Sequence, residues 1–174
     1  SILAISAITA QQTSMVAMNT LTPKDHYSIK RTIKKDKPIV LNATYLKEVN
    51  TENASAIVKE LELQAAEFNI RNSEVFDNSE KATYHVVFKK EHGELIANYN
   101  NNGEILSSIE KYKNVAIPLQ IRIQLSIKYP SWSFNSNIYQ SVYNANGNLN
   151  TSFKIRMKKG NDKKTITIKN NLVH

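Results

Sequence analysis

The sequence predicts an α+β fold built from tandem helix-plus-antiparallel-meander units. Short β-prone runs follow one another with turn residues between them, an apolar segment with helical features precedes each set, and the arrangement recurs in the second half of the chain. The 174 residues, 41% hydrophobic and 8% aromatic, suffice for one packed domain or two small fused modules and exclude a large multidomain enzyme. Lys and Arg number 23 against 15 Asp and Glu, a formal charge of +8, and the mean hydropathy is −0.43. With no cysteine, disulfides, thiolate zinc sites and cysteine catalysis are excluded.

Residues 1–10 are apolar and uncharged and end in Thr9 and Ala10, the pattern of a signal-peptide h-region and cleavage site; a buried N-terminal element is the alternative. The signal reading places the mature protein in the periplasm or outside the cell. No later apolar run approaches the ~20 residues of a membrane span, so no transmembrane segment is expected in the mature chain. Residues 11–37 read as a flexible basic arm with Lys30, Arg31, Lys34, Lys35 and Lys37.

The first helix-plus-sheet unit is expected over 38–115. Ile39, Val40, Leu41, Ala43 and Tyr45 suggest a short strand. A helix capped by Thr51 follows, with Ala54, Ile57, Val58, Leu61, Ala65 and Phe68 at helical spacing. Runs at 74–77, 82–90, 94–100 and 104–112 are β-prone, and Asp77-Asn78, His92-Gly93 and Asn101-Asn102-Gly103 supply turn chemistry, which gives an antiparallel meander. The second unit, over 116–174, repeats the order: a helix from Ile117-Pro118 to Tyr129-Pro130, then runs at 131–144, 150–159 and 163–169 with turns at Asn146-Gly147 and Gly160-Asn161. Leu119, Ile121, Ile123, Leu125, Ile127 and Tyr129 alternate as a strand would. Pro118 suits a first helical turn and Pro130 a terminator, so the segment is read as a helix with two opposed apolar faces.

The order Ile117-Pro118, Ile121, Leu125, Tyr129-Pro130, Trp132, then strand, Asn-Gly turn, strand, Gly turn and strand, resembles the PepSY-like, β-lactamase-inhibitor-like exported proteins of Bacteroidetes. The resemblance covers about 79–171 and, through the repeat, reaches back to about 50. It implies a periplasmic or secreted protein of tandem modules, with no cofactor and no established catalytic residues, that binds or restrains another protein. Leu119 after Pro118, Arg122 and the alternating isoleucines depart from the family pattern.

His26, His85, His92 and His174 are scattered, without metal-ligand spacing. His85 is expected as a half-buried strand residue. No phosphate loop and no serine-nucleophile motif occurs, and Ser108-x-x-Lys111 falls on a strand whose side chains point to opposite faces. The chain is therefore expected to be no enzyme and to need no metal. Lys154, Arg156 and Lys158 alternate with Phe153, Ile155 and Met157 and share one strand face, with Lys163, Lys164 and Lys169 on the next strand. They form a candidate anion-binding face, against the alternative of an ordinary solvated strand. A protein or anionic polymer suits an exported protein better than nucleic acid. Trp132 and Phe134 are expected inside; Tyr139 and Tyr143 are candidate recognition aromatics, with core packing equally open.

Overall fold

The computed structural model describes residues 40–78 and 81–170. The signal remnant expected at 1–10 and the basic arm expected at 11–37 lie outside them. Three helices, α1 (Ala43–Val49), α2 (Ala56–Glu67) and α3 (Leu119–Lys128), accompany six strands: β1 (Tyr84–Lys90), β2 (Gly93–Tyr99), β3 (Ile105–Lys113), β4 (Ser133–Asn144), β5 (Asn148–Lys159) and β6 (Asp162–Lys169). The strands form one antiparallel sheet in sequence order, so the fold is α+β with a six-stranded meander. Tight turns join successive strands except β3 and β4, which are adjacent in the sheet although α3 lies between them in the chain. The two units expected at 38–115 and 116–174 thus share one sheet. No helix among the described residues is long and apolar enough to cross a membrane.

Pleating divides the sheet into two faces. Leu95, Ala97 and Tyr99 on β2 point to the helix side, and the register carries that side through Glu110 and Tyr112 on β3, Tyr139 and Tyr143 on β4, Phe153, Ile155 and Met157 on β5 and Ile168 on β6. Val58, Leu61 and Ala65 from α2, Tyr45 and Val49 from α1 and Ile121 and Leu125 from α3 complete this core. Its aromatic rings form a row across the strands, with Tyr112 stacked on Tyr139 at 6.0 Å and Tyr139 beside Phe153 at 4.7 Å between centroids. Gly93 faces Tyr112 across β2 and β3, where a Cβ would stand 2.3 Å from the ring, so the position admits only hydrogen.

Three expectations are corrected. The strand expected over 39–45 gives way to α1, with residue 39 outside the described part. Tyr45 and Val49, one helical turn apart, are the residues that reach the core, and Asn42 fixes the helix start. Its side chain donates to Gly103 O (3.0 Å) and accepts from Ile105 N–H (2.8 Å), a tertiary tie that local alternation does not reveal. Thr51 does not cap α2. Its carbonyl accepts from Ala54 N–H (3.1 Å) in a turn, and the helix begins after an extended Ser55. Residues 74–77 form no strand, because a 3-10 turn at Ile70–Asn72 and a Ser73 to Phe76 turn bend the chain and leave Val75 72% exposed.

The alternating segment is helical, as α3. Ile121 and Leu125, four residues apart, are buried, while Leu119, Ile123 and Ile127 stand on the solvent side, 58%, 44% and 77% exposed. Only one of its two apolar faces is therefore covered. Phe134 and Trp132 are half-buried and pack against the core, as expected.

Candidate functional site

The sheet face opposite the helices carries the residues that composition singles out. Lys154, Arg156 and Lys158 project from β5 on this side and are exposed, because their alternates Phe153, Ile155 and Met157 fill the core. Lys163 lies opposite Lys158 and belongs with them. Lys164 does not. It lies opposite Met157 and turns to the helix side, its Nζ 4.5 Å from the Tyr129 ring centroid and 5.2 Å from that of Trp132, where cation–π attraction holds it. The expected patch is thus split by the pleat.

The register adds cations that strand-by-strand reading misses. Lys113 on β3 and Lys154 on β5 flank Ile138 of β4, so their backbones stand about 10 Å apart, two strand spacings. Next to the register shift in β4 between Phe134 and Ser136 lies a hollow of about 260 Å³, lined by Lys113, Asn114, Ser136, Asn137, Ile138, Lys154 and Arg156. Lys111 extends the same face, as does Lys169, the cation already expected there. Its one carboxylate among the described strand residues is Glu94, which pairs with Lys89 at 3.2 Å. Lys154, Arg156, Lys158 and Lys163 form no ion pair with another described residue.

An apolar row crosses the same face, next to Lys111 on β3 and four residues along β5 from Lys154. Val87, Ile96, Ile109 and Val142 are paired in register across β1 to β4, and Val87, Ile109 and Val142 are 56%, 54% and 40% exposed. An exposed apolar row and four cations without an ion-pair partner among the described residues thus share one face.

The expected recognition aromatics are corrected in place: Tyr139 and Tyr143 are buried on the helix side, and Tyr143 packs edge-on against Tyr45 at 5.1 Å. Neither reaches the open face. His85 is exposed rather than half-buried and meets Asn98, Nδ1 to Oδ1 2.5 Å. Ser108 is buried while Lys111 is exposed on the opposite face. No group of three His, Cys, Asp or Glu able to hold a metal ion occurs among the described residues.

An acidic pair escaped the sequence reading. Glu62 on α2 and Glu110 on β3 are both fully buried between helices and sheet. Glu110 accepts from the Tyr112 hydroxyl at 2.8 Å, with the Tyr45 hydroxyl 3.5 Å away, whereas neither oxygen of Glu62 has a hydrogen-bond partner. Burial pushes both carboxyls up, Glu62 to about 9 with a further contribution from Glu110, and Glu110 to about 7, held lower by the tyrosine hydroxyls. The same burial, with the nearby carboxyls, raises Tyr45 and Tyr112 far above an ordinary phenol. The cluster joins α1, α2 and β3 in closed core, away from the open face. Glu62 falls at a core position of the α2 stripe, and its acidic side chain is what hid it.

No family model matches the chain, and neither a curated protein nor a solved structure matches it.

Proposed function

We propose that the chain is a non-enzymatic, exported PepSY-like protein that binds, and thereby restrains, an acidic surface of another envelope or secreted protein through the open face of its sheet. The observation that carries this reading is that the apolar row Val87, Ile96, Ile109 and Val142 shares one face with Lys154, Arg156, Lys158 and Lys163, cations that pair with no other described residue. Apolar contact supplies affinity; the cations select an acidic partner and speed its encounter. The tandem arrangement and the PepSY-like kinship belong to the same proposal, supported by the order of α2 with β1 to β3 and α3 with β4 to β6. The periplasmic or secreted location rests on residues 1–10.

A second reading makes the cationic face a site for an anionic envelope polymer, favoured by the hollow between Lys113, Lys154 and Arg156. The test immobilises the protein and identifies what it retains from envelope extract at two salt concentrations. The leading reading expects one protein retained at both, and lost with Ile109→Asp as well as with Lys154→Glu/Arg156→Glu. Retention of many anionic species that wash off at higher salt, indifferent to Ile109→Asp, supports the polymer reading. Retention unaffected by either variant refutes both.

A further inference from the structure

On the helix side, away from the face just described, a cavity of about 270 Å³ opens between the N-terminal ends of α2 and α3. Tyr139 and Phe153, with ring centroids 4.7 Å apart, form part of its aromatic lining. Val58 of α2 and Ile121 of α3, both almost fully buried, contribute aliphatic walls. The polar lining includes Asn53 ahead of α2 and Gln120 in the first turn of α3, both exposed residues that carry a neutral amide. No charged residue among those described lines the cavity, in a chain where 22% of residues are charged. An apolar interior with a few neutral hydrogen-bonding groups is the usual composition of a small-molecule site.

We propose that this cavity binds an uncharged amphiphile, a flat aromatic or branched aliphatic body of about a dozen non-hydrogen atoms with one hydroxyl, amide or ester group, the size set by a cavity at the small end of known ligand sites. The body stacks on Tyr139 and Phe153, and the polar group meets the amides of Asn53 and Gln120, which donate and accept equally well. A charged head finds no counter-ion side chain among the described lining residues, so burying it there gives up hydration that no ion pair replaces.

The test uses 1-naphthol as probe, with 1-naphthoate and 1-naphthylmethylammonium as its charged counterparts, added to the full chain labelled at Ile and Val methyls for NMR. The expected result is a saturable shift of the Ile121 and Val58 methyls with 1-naphthol, with Val87 and Ile109 on the open face unmoved. Binding at least tenfold weaker is expected for both charged probes, and for Ile121→Trp, which fills the cavity. Val115→Phe fills it from another wall and decides the matter should the tryptophan variant not fold. Absence of a saturable shift overturns the site, as does undiminished affinity in a folded cavity-filled variant. Equal binding of either charged probe overturns the uncharged class.

Discussion

Replacing Glu62 with Gln should make the protein more stable at neutral and alkaline pH and remove much of its pH dependence. Glu62 is fully buried, and neither of its oxygens has a hydrogen-bond partner, so folding is favoured when the carboxyl carries its proton. Its pKa is raised on folding from 4.5 to about 9, by burial first and by Glu110 second, with Lys59 opposing. A raised folded pKa means that the unfolded chain releases the proton first. The stabilisation is therefore complete below 4.5 and is lost progressively as pH rises toward 9. Each pH unit in that window costs about 1.4 kcal/mol per group, so Glu62 alone removes about 3 kcal/mol between pH 4.5 and 7. Glu110, raised to about 7, acts in the same direction over the lower part of the window. The amide of Gln does not titrate and nearly preserves the shape. Urea unfolding at intervals from pH 5 to 9 should show wild-type stability falling with pH. Glu62→Gln should be close to wild type at pH 5 and more stable by several kcal/mol at pH 8, a shift on the order of 10 °C in Tm for a domain of this size. Wild-type stability that is flat or rises between pH 5 and 8, or a variant that keeps the full wild-type slope, refutes the reasoning.

Three further outcomes follow from packing. Gly93→Ala drives a methyl to 2.3 Å from the Tyr112 ring and should cost about 2 kcal/mol or more in urea unfolding, with Gly93→Ala/Tyr112→Leu recovering part of the loss. Asn42→Ala removes the bonds to Gly103 O and Ile105 N–H that tie α1 to the turn between β2 and β3, and should cost about 2 kcal/mol by the same measurement. On α3, Leu125→Ala should cost about 2–5 kcal/mol, whereas Ile127→Lys, two residues on but 77% exposed, should stay within about 0.5 kcal/mol and raise solubility.

The features that local chemistry fixes were legible in the sequence. Asn146-Gly147 and Gly160 mark turns because their positive φ of 83° and 57° at glycine is a property of the residues that occupy them. Strands β1 to β6 follow from runs between such turns, and the common face of Lys154, Arg156 and Lys158 follows from alternation alone, since the pleat has period two on any strand. Pro118 and Pro130 settled α3 against a perfect alternation, because they act on the backbone at the ends of the segment whatever its side chains do.

Tertiary structure decided what depends on neighbours distant in the chain. Lys164 left the cationic patch because pairing with Met157 sets it on the helix side, and Lys113 joined the patch because β3 pairs with β4 across the intervening α3. Tyr139 and Tyr143 share a face by parity, but which face the helices cover is a property of the whole sheet, and there the tyrosines became core. Tyr45 and Val49 became a helix rather than a strand because Asn42 found partners more than 60 residues away. Glu62 and Glu110 illustrate the same separation of scales. Sequence places each on its element, but only the packing of α2 against β3 brings two carboxyls into one closed core, where burial rather than residue type sets their protonation.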